Sequence, residues 1–374
     1  MDLGISAVNR RDMIAAAAAL GAAGVWGGRS PGQTSIGAAR PGPRNLITDV
    51  QGLRVGQSQE LTARTGVTVI LPDEAAVVAA DVRGGGPATR ETDATDAQNL
   101  VRAFDAIVLS GGSVYGLAAA DGVVAWLGDH GRGFALNPAP GTPRSPVVPA
   151  AALYDLANRG AKGWGLDPPY KALGIKAIET ASETFELGTA GAGYGAMAGA
   201  LKGGIGSASI VTADGLTVGA LVAVNCAGSV TAPGTRQFWA APFEIGAEFG
   251  GLGSAALRGA PDDWGRPRAS PKPRENTTLA VVATDAKLSG DEAKRVAIMA
   301  QDGMARAIRP SHSPFDGDIV FAMATGRRDL SEPRAFTTAR IGALAADTLA
   351  RAIARAVYEA TPWPGSAVPT WKTS

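Results

Sequence analysis

The chain is poor in the residues that most familiar catalytic centres are built from. It has one cysteine, Cys226, among 374 residues, so an internal disulfide is impossible. Its two histidines are His130 and His312. A histidine-rich metal centre cannot be assembled from them, and a Ser-His-Asp triad would depend on one of the two. Neither stands beside a Gly-x-Ser-x-Gly signature, so both read as ordinary surface or core histidines. Charge of either sign is also missing as a signal. There are 35 Lys and Arg against 34 Asp and Glu, a net charge of +1. That balance gives no electrostatic reason to expect a nucleic-acid or membrane partner.

What remains is a globular composition. Apolar residues make up 45% and charged residues 18%, which separates the chain from disordered sequences. Its length suits one large domain or two ordinary ones. Glycine is abundant, 50 residues, roughly twice the usual share of about 7%. With no Gly-X-Y period, these glycines read as turns and close backbone approaches.

The first 43 residues read as an address followed by a linker. Arg10 and Arg11 precede Met13, Ile14 and the apolar stretch Ala15–Trp26, a twin-arginine pattern with a core of signal-peptide length that is too short for a membrane span. The Gly/Ser/Pro-rich stretch from Gly27 to Pro43 reads as a cleavage zone and linker, with Ala38-Ala39 as a small-residue cut site. This predicts export to the periplasm, and a single domain over 44–374.

Along that domain, Leu46–Val55 and Thr65–Leu71 predict two strands, with a third ending in the glycines at 84–86 and a fourth over Ala106–Leu109. The fourth runs into Ser110-Gly111-Gly112-Ser113, a turn feeding a helix. Its backbone N–H groups at Gly111, Gly112 and Ser113 make it a candidate oxyanion site. Pro149–Asn158 predicts a short helix carrying Tyr154. Segments 202–211 and 216–225 predict successive strands, the second ending at Asn225. After Leu279–Thr284, a strand, Ser289-Gly290-Asp291-Glu292 forms a capping box opening a helix to about Ile308. Ile319–Thr325 is a strand and Ala335–Ala360 a long helix. Sheets with helices outside them predict a layered α/β arrangement.

The most informative segment is Asn276-Thr277-Thr278. Pro261, Pro267, Pro271 and Pro273 precede it in a polar loop, and Leu279–Ala283 follows as a buried strand. The tripeptide fits an N-glycosylation sequon and an ordinary strand start. It also fits a third chemistry. If the chain is cut before Thr277, that residue carries a hydroxyl nucleophile and, in its new α-amine, a general base. An α-amine with a reference pKa of about 7.7–8.0 is substantially neutral near working pH.

Several motifs converge on one family. Thr65–Ile70, Leu109–Gly122, Lys202–Ser209 and Val281–Ala286 resemble the DmpA-type aminopeptidases, which include L-aminopeptidase/D-esterases and β-peptidyl aminopeptidases. Asn276-Thr277-Thr278 and Asp316-Gly317-Asp318 resemble more closely its nylon-oligomer branch, the 6-aminohexanoate-oligomer endohydrolases. The peptidase branch carries Ser and Glu where this chain has Asp316 and Asp318. The resemblance implies an αββα four-layer sandwich and self-cleavage between Asn276 and Thr277, with Thr277 as nucleophile. It further implies an oxyanion role for Asn225, site roles for Lys202, Tyr154, Asp316 and Asp318, and a tetramer of processed protomers. The implied substrates are short peptides, β-peptides or ω-amino-acid oligomers, with no metal or organic cofactor. An ornithine-acetyltransferase-like acyltransferase, using the same Thr ester chemistry, is the alternative. An unprocessed binding protein is a third reading.

Overall fold

The β-branched segments of the sequence become the middles of two sheets. The structure, a computed structural model, describes residues 39–137, 139–256, 262–269 and 276–374. The twin-arginine segment, its cut site at Ala38 and most of the proline-rich loop therefore lie outside the described residues.

In chain order the strands are β1 (Leu53–Glu60), β2 (Thr65–Pro72), β3 (Val77–Val82), β4 (Thr89–Arg90), β5 (Ile107–Ser110) and β6 (Ala150–Ala152), then β7 (Met197–Ala198), β8 (Leu201–Lys202), β9 (Gly204–Val211), β10 (Thr217–Asn225), β11 (Thr277–Ala286) and β12 (Ile319–Arg328). One five-stranded sheet runs β1-β2-β5-β6-β4, and the other runs β3-β12-β11-β10-β9. In the second sheet β11 pairs parallel with β12 and antiparallel with β10. The helices are α1 (Ala119–Asp129), α2 (Tyr170–Glu179), α3 (Gly290–Ala307) and α4 (Arg334–Tyr358).

Strand periodicity sorts the side chains into layers. Along β11, Leu279, Val281 and Ala283 face the other sheet, where Leu53, Val55, Ile70 and Leu109 meet them. Ala280 and Val282 point the other way, into a core closed by Val296, Ala300 and Met304 of α3 and Leu349 and Ile353 of α4. The outer face of the first sheet is covered by Val123 and Leu127 of α1 and Leu173 and Ile178 of α2. This is the expected αββα sandwich. Each large aliphatic side chain so buried contributes about 1.5–3 kcal/mol. The capping box at Ser289 is present, with the Ser289 N–H donating to Glu292 at 2.9 Å.

Two local expectations are corrected, and one helix is added. Leu46–Val55 is not one strand. Ile47–Asp49 forms a 3-10 turn closed by Asp49, and β1 begins only at Leu53. Pro149–Asn158 is not a helix. Ala150–Ala152 pairs parallel with β5, and Tyr154 lies beyond the strand end; pairing inside a buried sheet overrides alanine's helix preference. Helix α2 was not anticipated. It packs so tightly on α1 that a Cβ at Gly174 would stand 2.2 Å from the Ala119 carbonyl oxygen.

Candidate active site

The site forms at one end of the central strands β10, β11 and β12. Register places Asn225, the last residue of β10, directly opposite Thr277, the first of β11. Asp318 immediately precedes β12, the other neighbour of β11. Thr277, Asn276, Asn225, Asp316 and Asp318 are all buried.

Thr277 and the preceding peptide are held closely. The Thr277 hydroxyl donates to the carbonyl oxygen of Asn276 at 2.5 Å. The Gly317 N–H donates to that same oxygen at 2.9 Å. A Cβ at Gly317 would lie 2.8 Å from Thr277 Oγ1 and 2.9 Å from the Gly86 oxygen, so only glycine admits this approach. Both ends of the Asn276 side-chain amide are buried without a hydrogen-bond partner, a cost of about 1–3 kcal/mol for such a group.

Asp316 and Asp318 are an anchored pair rather than a free turn. Asp318 Oδ1 accepts the Thr278 N–H at 2.7 Å. Its Oδ2 accepts the His312 N–H at 3.0 Å and lies 2.9 Å from His312 Nδ1. Asp316 Oδ1 accepts the Ala227 N–H at 3.1 Å, and its Oδ2 accepts from Ser313 N–H at 3.2 Å and from the Ser313 hydroxyl. Burial, and then the charge of Asp318, raise the Asp316 pKa above the usual carboxylate range. His312, read from sequence as an ordinary histidine, is thus part of the site. Its left-handed backbone, φ 55°, turns both its N–H and its ring toward Asp318.

Asn225 is oriented by its neighbours. Its Oδ1 accepts the Met197 N–H at 2.9 Å, and its Nδ2 donates to the Tyr154 carbonyl at 3.1 Å. Arg268 Nη2 lies 3.5 Å from Oδ1. Tyr154 therefore reaches Asn225 through its backbone. Lys202 stands one shell away, paired with Met197 across the β7–β8 hairpin. Its ammonium gives three hydrogen bonds to backbone carbonyls, Gly193 at 3.2 Å, Ala196 at 2.9 Å and Gly203 at 2.7 Å. Burial pulls its pKa down to about 7.

That depression makes a stability prediction. The unfolded chain keeps the Lys202 proton up to about pH 10.4, whereas the folded chain releases it near 7. Between these values the unfolded state binds more protons, so unfolding free energy rises with pH. Urea titrations at pH 7, 8 and 9, on unprocessed Thr277→Ala protein with and without Lys202→Met, should differ in slope. The lysine-bearing protein is expected to gain a few kcal/mol relative to the other across that window.

The glycine turn after β5 does not supply an oxyanion hole. Gly111 N–H donates to Gly66, Ser113 N–H to Leu153, and Gly112 N–H to Asp155 Oδ1 at 2.8 Å, so all three donors are committed inside the protein. The glycines serve packing. A Cβ on Gly111 would stand 2.1 Å from Asp155 Oδ2, and one on Gly112 would be 2.2 Å from the Tyr170 hydroxyl. Asp155, not among the residues singled out above, is fully buried here, and desolvation raises its pKa to about 6.

A cavity of about 80 Å³ opens against Tyr154, Asp155, Gly195, Met197, Asn225 and Arg268. Beside it runs a cleft of about 390 Å³ that shares Ala157, Asn158 and Met197 and adds Arg64, Arg159 and Trp363. A larger hollow of about 460 Å³, around Asp73, Asp105, Arg132 and Phe134, contains none of the site residues.

Comparisons with known proteins point to one family. The profile of peptidase family S58 matches residues 45–369. An uncharacterised aminopeptidase of Mycobacterium tuberculosis is 43% identical over 353 residues, covering 88% of this chain and 97% of the relative. A 6-aminohexanoate-oligomer endohydrolase of Paenarthrobacter ureafaciens is 29% identical over 329 residues, covering 82% of each chain. Among solved structures, a Burkholderia beta-aminopeptidase superposes with a TM-score of 0.61 at 24% identity, covering 87% of this chain and 89% of that one. The L-aminopeptidase D-Ala-esterase/amidase of Ochrobactrum anthropi, described as a variant of the Ntn-hydrolase fold, superposes with a TM-score of 0.59 at 23% identity, covering 88% of this chain and 90% of that one.

Proposed function

Because the chain belongs to peptidase family S58 and is a hydrolase of amide bonds, we propose that it cuts itself between Asn276 and Thr277 and then uses Thr277 as an N-terminal nucleophile. One observation carries this reading. The Thr277 hydroxyl and the Gly317 N–H converge on the carbonyl oxygen of the bond to be cut.

In the proposed route Thr277 Oγ attacks the Asn276 carbonyl carbon and its proton passes to the departing Thr277 nitrogen. The C–N bond breaks and an ester forms. Negative charge gathering on the Asn276 oxygen is stabilised by Gly317 N–H. Water then hydrolyses the ester, leaving an α chain ending at Asn276 and a β chain beginning at Thr277. Release of the unpartnered Asn276 side chain favours the cut state. In turnover the freed α-amine of Thr277 takes the hydroxyl proton as a substrate carbonyl is attacked, and delivers it to the leaving amine. Asp318 fixes the backbone following the nucleophile through Thr278 N–H. Asn225, opposite Thr277, orients or polarises the substrate amide.

Substrates follow from the relatives: amides of short peptides, β-peptides or ω-amino-acid oligomers. Product time courses on free-amine and N-blocked 6-aminohexanoate trimers, beside L-alanyl and β-alanyl p-nitroanilides, test this. Cleavage of the blocked trimer is expected if the protein acts as an endohydrolase, and release from free-amine substrates alone marks an aminopeptidase. A processed protein that hydrolyses none of them contradicts the substrate class. Acetyl transfer to an added amine, outpacing hydrolysis, would move the protein to the acyltransferase reading.

A further inference from the structure

The cleft beside the site carries positive charge that no described carboxylate neutralises. Arg64 gives one N–H to the Asn158 carbonyl at 3.1 Å and lies 4.8 Å over the Trp363 ring. Arg159 is exposed on the same wall, held by a left-handed backbone at φ 63°. Neither forms an ion pair among the described residues. Among the described residues the sole carboxylate at the junction of cleft and cavity, Asp155, is buried and already accepts Gly112 N–H. Trp363 and Met197 give the same cleft an apolar surface.

We propose that this cleft binds the free carboxylate at the end of the substrate's leaving half, with Arg159 and Arg64 as its anchors and Trp363 under the connecting chain. The inference rests on the hydrolase reading above and names its substrate class. In any short peptide or amino-acid oligomer the carboxylate lies on the amine side of every amide, so it departs with the leaving group. The shared wall at Ala157, Asn158 and Met197 joins the cleft to the cavity at Asn225, opposite Thr277. Two guanidinium groups lining that groove select carboxylate-ended amides over neutral ones. An indole and a thioether tolerate α-, β- or ω-spacing between amide and carboxylate, because apolar contact has no fixed direction.

The test compares aminoacyl 4-aminobenzoate with the matching aminoacyl 4-aminobenzamide, which differ only in the charged group. The carboxylate substrate is expected to have a kcat/KM about ten-fold higher at low ionic strength, the advantage shrinking as salt is raised. Arg159→Gln and Arg64→Gln should each bring the ratio toward one, and Arg159→Lys should keep most of it. Calorimetric titration with 4-aminobenzoate and 4-aminobenzamide reads the cleft without turnover. Tighter binding of the acid, lost in Arg159→Gln, supports the subsite even if neither substrate is cleaved, an outcome that would count against the hydrolase reading alone. Equal turnover and equal binding of acid and amide, or a preference unmoved in both glutamine variants, overturns the subsite and leaves the hydrolase reading standing.

Discussion

Thr277→Ala is expected to yield a single uncut chain with amidase activity reduced by roughly 10⁴-fold or more, the scale set by loss of a covalent nucleophile. The geometry makes the expectation sharp, because the Thr277 hydroxyl contacts the Asn276 carbonyl directly. A rival route would cut the same bond without that hydroxyl. The Asn276 side-chain nitrogen, buried and unpartnered, could attack its own main-chain carbonyl, closing a succinimide and expelling the Thr277 amine. Thr277→Ala separates the two. Cleavage surviving in the variant, with a succinimide or its hydrolysis products at the end of the α chain, would establish side-chain cyclisation. Thr277→Ser keeps the hydroxyl and should still be cut, which distinguishes lost chemistry from lost folding.

Asp318→Asn is expected to slow both self-cleavage and turnover by about 10²-fold, the size of effect seen when a preorganised polar group at a reacting centre is removed. Asp318 accepts the Thr278 N–H and the His312 N–H, and its Oδ2 lies 2.9 Å from His312 Nδ1. A carboxylate satisfies both N–H groups. An amide must turn an NH₂ group toward one of them and leaves a buried donor opposed, a cost of about 1–3 kcal/mol. The Thr278 N–H belongs to the peptide plane that carries the Thr277 carbonyl, so its displacement moves the hydroxyl used in both reactions. Half-times of processing on denaturing gels, and kcat on protein eventually processed, read the two effects separately. Unchanged rates in both would reduce Asp-Gly-Asp to a structural turn.

The layers and the residues that meet at the candidate site were largely legible in the sequence, and the reasons for the misses elsewhere are local. Thr65–Leu71 and Leu279–Ala283 are apolar and β-branched, so central strands were legible. Asn225 and Thr277 could be singled out because one ends a strand run and the other begins one, and the register then placed them face to face. Tyr154 was misplaced on a helix because the run of alanines before it prefers helix in isolation, while its actual partner, β5, lies about 40 residues away. The glycine turn at 110–113 has the composition of an anion site, yet its N–H groups are spent on Gly66, Leu153 and Asp155. Sequence cannot show where a donor points. His312, Gly317 and Asp155 escaped for the same reason. Their roles come from backbone conformation and from contacts across distant segments, and only Gly317 had a visible cue, its place between Asp316 and Asp318. Arg64 and Arg159 come from two such segments, and only the folded chain lines them along one cleft.

In the proposed reaction a hydroxyl held against its own upstream carbonyl becomes the enzyme's N-terminal nucleophile. Intact mass measurement with N-terminal sequencing of the purified wild-type protein tests it most directly. Two fragments are expected, one beginning at Thr277 and the other ending in the free acid of Asn276. An active protein that remains a single uncut chain, or a fragment that begins at any residue other than Thr277, would contradict it.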